Sequence, residues 1–71
     1  MESHKIGSII RAEREQLGLT TQLLADLADV SLPTLLSIEK GRGAQMRKVA
    51  AVLRSLGLEL SVREIGGPLR D

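Results

Sequence analysis

Leu17-Gly18-Leu19 recurs as Leu56-Gly57-Leu58, and both have the form that stops a helix: a glycine free to turn left-handed, then an apolar residue. Around these stops the apolar residues repeat at helical period. Ile6, Ile9, Ile10 and Leu17, interrupted by Glu13, predict a first helix over residues 5–17. Thr20 is suited to cap a second helix running to Ala28, with Leu24, Leu27 and Ala28 turned inward. Ser31 comes after a short Asp29-Val30 link and can cap a third. Pro33 then falls in the first turn, where its missing N–H is of little cost. Leu35 and Ile38 face the core, and Gly41 ends the helix after Lys40, whose charge suits a helix C-terminus. Past the Gly41-Arg42-Gly43 loop, residues 44–56 form a fourth helix that buries Met46, Val49, Val52, Leu53 and Leu56.

The residues after the second stop differ in kind from those after the first. Leu58-Glu59-Leu60-Ser61-Val62-Arg63-Glu64-Ile65 alternates apolar and polar residues, the pattern of a half-buried strand. A lone strand leaves backbone groups unpaired. The economical partner is the same strand of a second copy, antiparallel about a two-fold axis, with Leu58, Leu60, Val62 and Ile65 at the dimer interface. The alternative is a tail that packs on its own helices. Gly66-Gly67-Pro68 ends regular structure. The expected organisation is thus an all-α domain of four helices over residues 1–57, one β-strand over 58–65 that pairs with its copy, and a short flexible tail over 66–71.

Size argues for the same dimer. A chain of 71 residues buries only about 60% of the surface its unfolded form exposes. Without cysteine it has no disulfide or thiolate metal site to staple it, so dense helical packing or self-association must do so. The chain has no run of about 18 apolar residues that could span a membrane, and Met-Glu-Ser-His-Lys does not open like a signal peptide. A soluble, cytoplasmic protein that does not engage the membrane is expected.

Composition also narrows the function. With no Phe, Trp or Tyr the chain has no platform for stacking bases, which single-strand binders and most RNA readers use. Duplex DNA remains. The net charge is only +1, but it is unevenly placed. Residues 31–56 carry Lys40, Arg42, Arg47, Lys48 and Arg54 against Glu39 alone, whereas the segments on either side carry more acidic residues than basic ones. A basic segment that begins with the third helix is the footprint expected of phosphate binding, though a solvated basic face would read the same way.

Catalysis has little support. His4, the single histidine, lies in a terminal stretch. Glu13 and Glu15 are two apart on a helix and so do not face each other. No metal-binding pattern and no glycine-rich nucleotide loop occurs, so no enzyme activity, metal or cofactor is expected.

"IGSIIRAEREQLGLT" followed by "LLADLADVSLPTLLSIEKG" resembles the XRE-type helix-turn-helix domain of phage repressors and Cro proteins. The likeness spans residues 6–57 and rests on Leu19-Thr20, Leu24-Ala25, Ala28, Val30-Ser31, Ile38-Glu39 and Gly41. The ending "RKVAAVLRSLGLELSV" is similar to the HipB-type antitoxins, whose four helices are followed by a strand that forms a small sheet in the dimer. That resemblance implies a bacterial homodimer that binds a palindromic operator on the nucleoid, represses its own operon and neutralises a HipA-like toxin kinase. It also implies a structural ion pair between Arg14 and Glu39.

Departures from the family pattern bear on the DNA contacts. Thr21 stands where a phosphate-contacting Gln is usual, with Gln22 beside it; Thr21 keeps a hydroxyl and a helix N-terminus for phosphate. In the third helix Leu32, Pro33, Leu36 and Ser37 replace more polar or basic residues. Leu32 and Leu36, four apart, share a face expected to turn away from Leu35 and Ile38. Leu23 adds an apolar residue on the second helix. In one reading Leu32, Pro33 and Leu36 meet thymine methyl groups, Thr34, Ser37 and Gln22 supply polar base contacts, and Thr21, Ser31, Lys40, Arg42, Arg47 and Lys48 hold phosphates. In a second, the surface docks a protein and DNA binding is weak or lost. In a third, the leucines pack on each other or in the dimer. A stand-alone phage-type repressor without a toxin would share the first reading's features.

Overall fold

The computed structural model of the chain describes residues 3–61. Four helices run through them: α1 Ser3–Gln16, α2 Thr21–Ala28, α3 Leu32–Glu39 and α4 Met46–Ser55. α1 packs against α3, and α2 packs against both α3 and α4. Ile10, Leu24, Ala25, Ala28, Leu35, Ile38, Val52, Leu53 and Leu56 form one buried aliphatic core to which every helix contributes. Ile6, Leu19, Val30, Val49, Ala51, Leu58 and Leu60 pack half-buried around it.

The caps act where the sequence puts them. Thr20 Oγ1 accepts the Leu23 N–H at 3.0 Å, and Ser31 Oγ accepts the Thr34 N–H at 3.2 Å. All four helices then close in the same way. The N–H groups of Leu19, Val30, Arg42 and Leu58 each donate to the carbonyl five residues back, at 2.8–3.0 Å. In each case the preceding residue donates three residues back and has positive φ. Three of those residues are glycines, but after α2 the position is Asp29, at φ 58 and ψ 45. Without a glycine, this stop is invisible to the rule that finds the others.

Four residues expected inside lie largely outside. α1 touches the core with Ile6 and Ile10, one turn apart, so Ile9 is 44% exposed, and Leu17, beyond the last turn, is 52% exposed. α2 buries Leu24, Ala25 and Ala28, which leaves Leu27 off the contact stripe and 57% exposed. Gln45 is extended (ψ 138) and caps α4 without a side-chain bond. The helix therefore starts at Met46 and not at residue 44, and Met46, at its open end, is 67% exposed.

α1 and α3 approach so closely that a Cβ on buried Gly7 would run into the carbonyl oxygens of Ile38 and Glu39. At the other side of this contact, a Cβ on Gly41 (φ 77) would run into the main chain of His4. Arg14 fastens the same pair of helices. Its Nε donates to Glu39 Oε2 at 2.8 Å and its Nη2 to Oε1 at 3.2 Å, while Nη1 donates to the Leu19 carbonyl at 3.0 Å. The side chains are only 12% and 7% exposed. The hydrogen bond to Glu39 raises the Arg14 pKa above its ordinary value against the opposing effect of burial.

Leu58 and Leu60 are half-buried and Glu59 and Ser61 exposed, so the alternation is kept as far as Ser61. No strand forms among the described residues. Leu58 and Leu60 rest on the chain's own core. Val62, Ile65 and the 66–71 tail lie outside the described residues.

Candidate nucleic-acid interface

α2, the turn at Asp29 and α3 form two short helices joined by a tight link, and the exposed side of α3 is what this unit presents. Successive residues on a helix are about 100° apart, so the positions most nearly opposite buried Leu35 and Ile38 are Pro33 and Lys40, with Leu36 and Ser37 equally placed on either side of them. Leu32 flanks the core, whereas Leu36 is turned outward. Leu32 is half-buried and Leu36 36% exposed. The expectation that this pair turns away from the core therefore holds for Leu36 and not for Leu32, which stands about 60° around the helix from Leu35.

Pro33, Thr34 and Ser37 line an open cleft of about 350 Å³, closed on its other side by Gly43, Ala44, Gln45 and Lys48. Three of the six expected base-contacting residues are thus gathered beside one expected phosphate-binding lysine. Leu32 and Leu36 are not among its lining. Gln22 is exposed on α2, where its amide Nε2 donates to Asp26 Oδ1 at 3.0 Å.

Ser31 Oγ not only caps the helix; it also donates to Thr34 Oγ1 at 2.8 Å. Its single proton is thereby used. The Thr34 hydroxyl, having accepted, keeps its own proton for an acceptor in the cleft, and a hydroxyl that accepts one bond is a better donor of the next. Ser31 accordingly holds Thr34 in place, and its own hydroxyl is engaged within the helix cap. The arrangement can donate to acceptors such as purine N7, guanine O6 or thymine O4, all of which line the major groove.

The basic residues stand on different elements, and of them Lys48 lines this cleft. Lys40 caps the end of α3, Arg42 is exposed in the loop after it, and Arg47 and Lys48 stand on the first turn of α4. Thr21 is half-buried as the first residue of α2. Among the described residues no cluster of His, Cys, Asp or Glu could hold a metal ion, and no helix is long and apolar enough to cross a membrane. Sequence reasoning missed the Ser31 to Thr34 hydroxyl bond and the cleft-forming Gly43, Ala44 and Gln45. The serine and threonine three apart at a helix start were the available signal for the first.

Residues 10–62 match the helix-turn-helix family, and the chain belongs to it as a domain of the XRE type. This is a family of DNA-binding regulators, not a catalytic one. No curated protein matches the chain.

Proposed function

We propose that this helix-turn-helix protein is a homodimeric transcriptional repressor that reads a palindromic operator in its own upstream DNA. Its finer role is that of an antitoxin of the HipB type, which also binds a HipA-like kinase toxin in a bacterial cytoplasm. The DNA reading is carried by one observation: the Thr34 hydroxyl, oriented by Ser31, sits with Pro33 and Ser37 in a cleft whose opposite wall bears Lys48. Thr34 and Ser37 supply the polar base contacts and Pro33 an apolar one, with Gln22, Leu32 and Leu36 at the margins. Thr21, Lys40, Arg42, Arg47 and Lys48 serve the phosphates, while Ser31, expected among them, spends its hydroxyl proton on positioning Thr34, and two recognition helices reach half-sites roughly 34 Å apart.

The dimer draws support from the tail. Leu58 N–H donates to the Leu53 carbonyl at 2.8 Å, and N–H groups of alternate residues in an extended chain point to the same edge. An extended chain continuing from Leu58 turns the N–H groups of Glu59 and Ser61 to the edge away from α4. Such an edge is a template for a second strand, with Leu58, Leu60 and Val62 forming the apolar face beneath and Ile65 at the strand's end.

The test is binding of the purified protein to its own upstream DNA and to random duplex of equal length, each at two salt concentrations. A repressor binds both with steep salt dependence and prefers the upstream site. Weak binding without preference would favour a second reading, which has its own support. Leu23 and Leu27 are one turn apart on α2 and 45% and 57% exposed, an apolar stripe suited to a protein partner.

A further inference from the structure

A second cleft, of about 360 Å³, opens between the α2–α3 turn and the middle of α4. It is lined by Ala28, Asp29 and Val30 on one side and Arg47, Lys48, Ala51 and Arg54 on the other. The α4 residues fall at spacings of one, four and seven, so they share a helix face. Ala51, small and between the cations, leaves the depression that gives the cleft its volume. Arg47 and Arg54 are exposed and Lys48 half-exposed, and no salt bridge joins any of the three to an acid among the described residues.

Lys48 lines this cleft and the one beside Thr34 alike. The two therefore share Lys48 as a wall. From Lys48 the basic face continues along α4 to Arg54, and the seven residues from Arg47 to Arg54 rise roughly 10 Å, about three steps of a DNA strand at 3.4 Å each. Asp29, the residue held left-handed at the end of α2, puts the one carboxylate at the mouth of a cleft otherwise lined by cations and apolar groups.

We propose that this cleft is a second seat for the DNA backbone, in which Arg54 binds a phosphate beyond those reached by the recognition helix and Asp29 repels it. The inference rests on the DNA-binding reading above. Arg54 adds affinity for any duplex; Asp29 subtracts it. The opposed charges keep sequence-independent binding low enough for the contacts in the first cleft to discriminate.

Because phosphate is common to all sequences, the probe is a random-sequence duplex of about 20 base pairs, its binding followed across a salt series with the full chain. Each phosphate neutralised contributes about −0.9 to the slope of log K against log salt. Arg54→Ala is expected to flatten the slope by about 0.9 and to weaken binding about eightfold at 0.1 M salt. Asp29→Asn, which keeps a residue that accepts left-handed φ, is expected to tighten binding several-fold. Arg11→Ala is the control, since Arg11 lies on α1 paired with Glu15 at 3.2 Å, and it should change neither. Wild-type binding with an unaltered slope in Arg54→Ala would overturn the second seat and leave the DNA reading standing. Absence of salt-dependent binding by the wild type would overturn both.

Discussion

Asp29 and Arg14 show how much single residues set here. A left-handed conformation costs an L-residue about 1–2 kcal/mol, least for Asn and Asp, and a carboxylate at a helix C-terminus also opposes the helix dipole. Glycine removes both penalties but loses more entropy on folding, about 0.5–1 kcal/mol. Asp29→Gly should therefore raise the melting temperature by a few degrees and Asp29→Ala should lower it, as thermal denaturation would show; the reverse order would mean that Asp29 makes a favourable contact. Arg14 carries the opposite burden. Its removal strands a Glu39 carboxylate that is only 7% exposed, and breaking such a pair costs about 3–5 kcal/mol. At roughly 4–8 °C per kcal/mol for a domain of this size, Arg14→Ala should leave little cooperative folding at ambient temperature. Arg14→Met combined with Glu39→Leu should recover most of it, because the pair has no advantage over apolar residues of similar volume. The raised Arg14 pKa means that its contribution is fully present below the unfolded-state value and is lost only as pH rises through the still higher folded one. Titration of Arg14 should thus leave stability unchanged through neutral and moderately alkaline pH.

At the scale of elements, α3 is held by its cap and by its closeness to α1. Thr34→Val keeps the volume and the N–H that Ser31 accepts, but removes the hydroxyl from the cleft lining. Preference for the upstream site over random duplex should fall by an amount equivalent to about 1–3 kcal/mol, with the melting temperature nearly unchanged; equal losses on both duplexes would assign Thr34 to the backbone instead. Gly7→Ala tests the other hold. Its Cβ meets the main chain of Ile38 and Glu39, which cannot yield as a flexible side chain could, so about 1–3 kcal/mol of stability should be lost on thermal denaturation. These two sites mark the limit of what the sequence conveys. Thr20, Ser31, Pro33 and the left-handed glycines obey rules within one helix turn, so they are legible, as are Leu35 and Ile38 by their period. Gly7, the exposure of Leu27 and Met46, and the cleft around Thr34 depend on which helix lies alongside and how near, and no local pattern encodes that. Asp29 escapes for another reason: it performs a glycine's task without being one.

For the molecule as a whole, the proposed dimer turns on the backbone of the tail. Leu58 and Leu60 already rest on their own core, so truncating the tail would destabilise the fold and the dimer together and could not separate them. Proline can. It removes an N–H without disturbing the neighbouring side chains, and it holds the residue before it extended, as Leu58 and Leu60 already need to be. Glu59→Pro with Ser61→Pro deletes the two donors on the edge away from α4, while the Leu58 N–H to Leu53 and both leucines remain. If two strands pair across a two-fold axis, this variant should sediment as a single chain where the parent sediments as two, with its helical circular dichroism retained. Its affinity for a palindromic site should also fall steeply, because the second half-site contact loses its effective concentration. A doubly substituted protein that keeps the mass of two chains would place the interface on the helices, where the exposed Leu23 and Leu27 of α2 would be the first surface to alter.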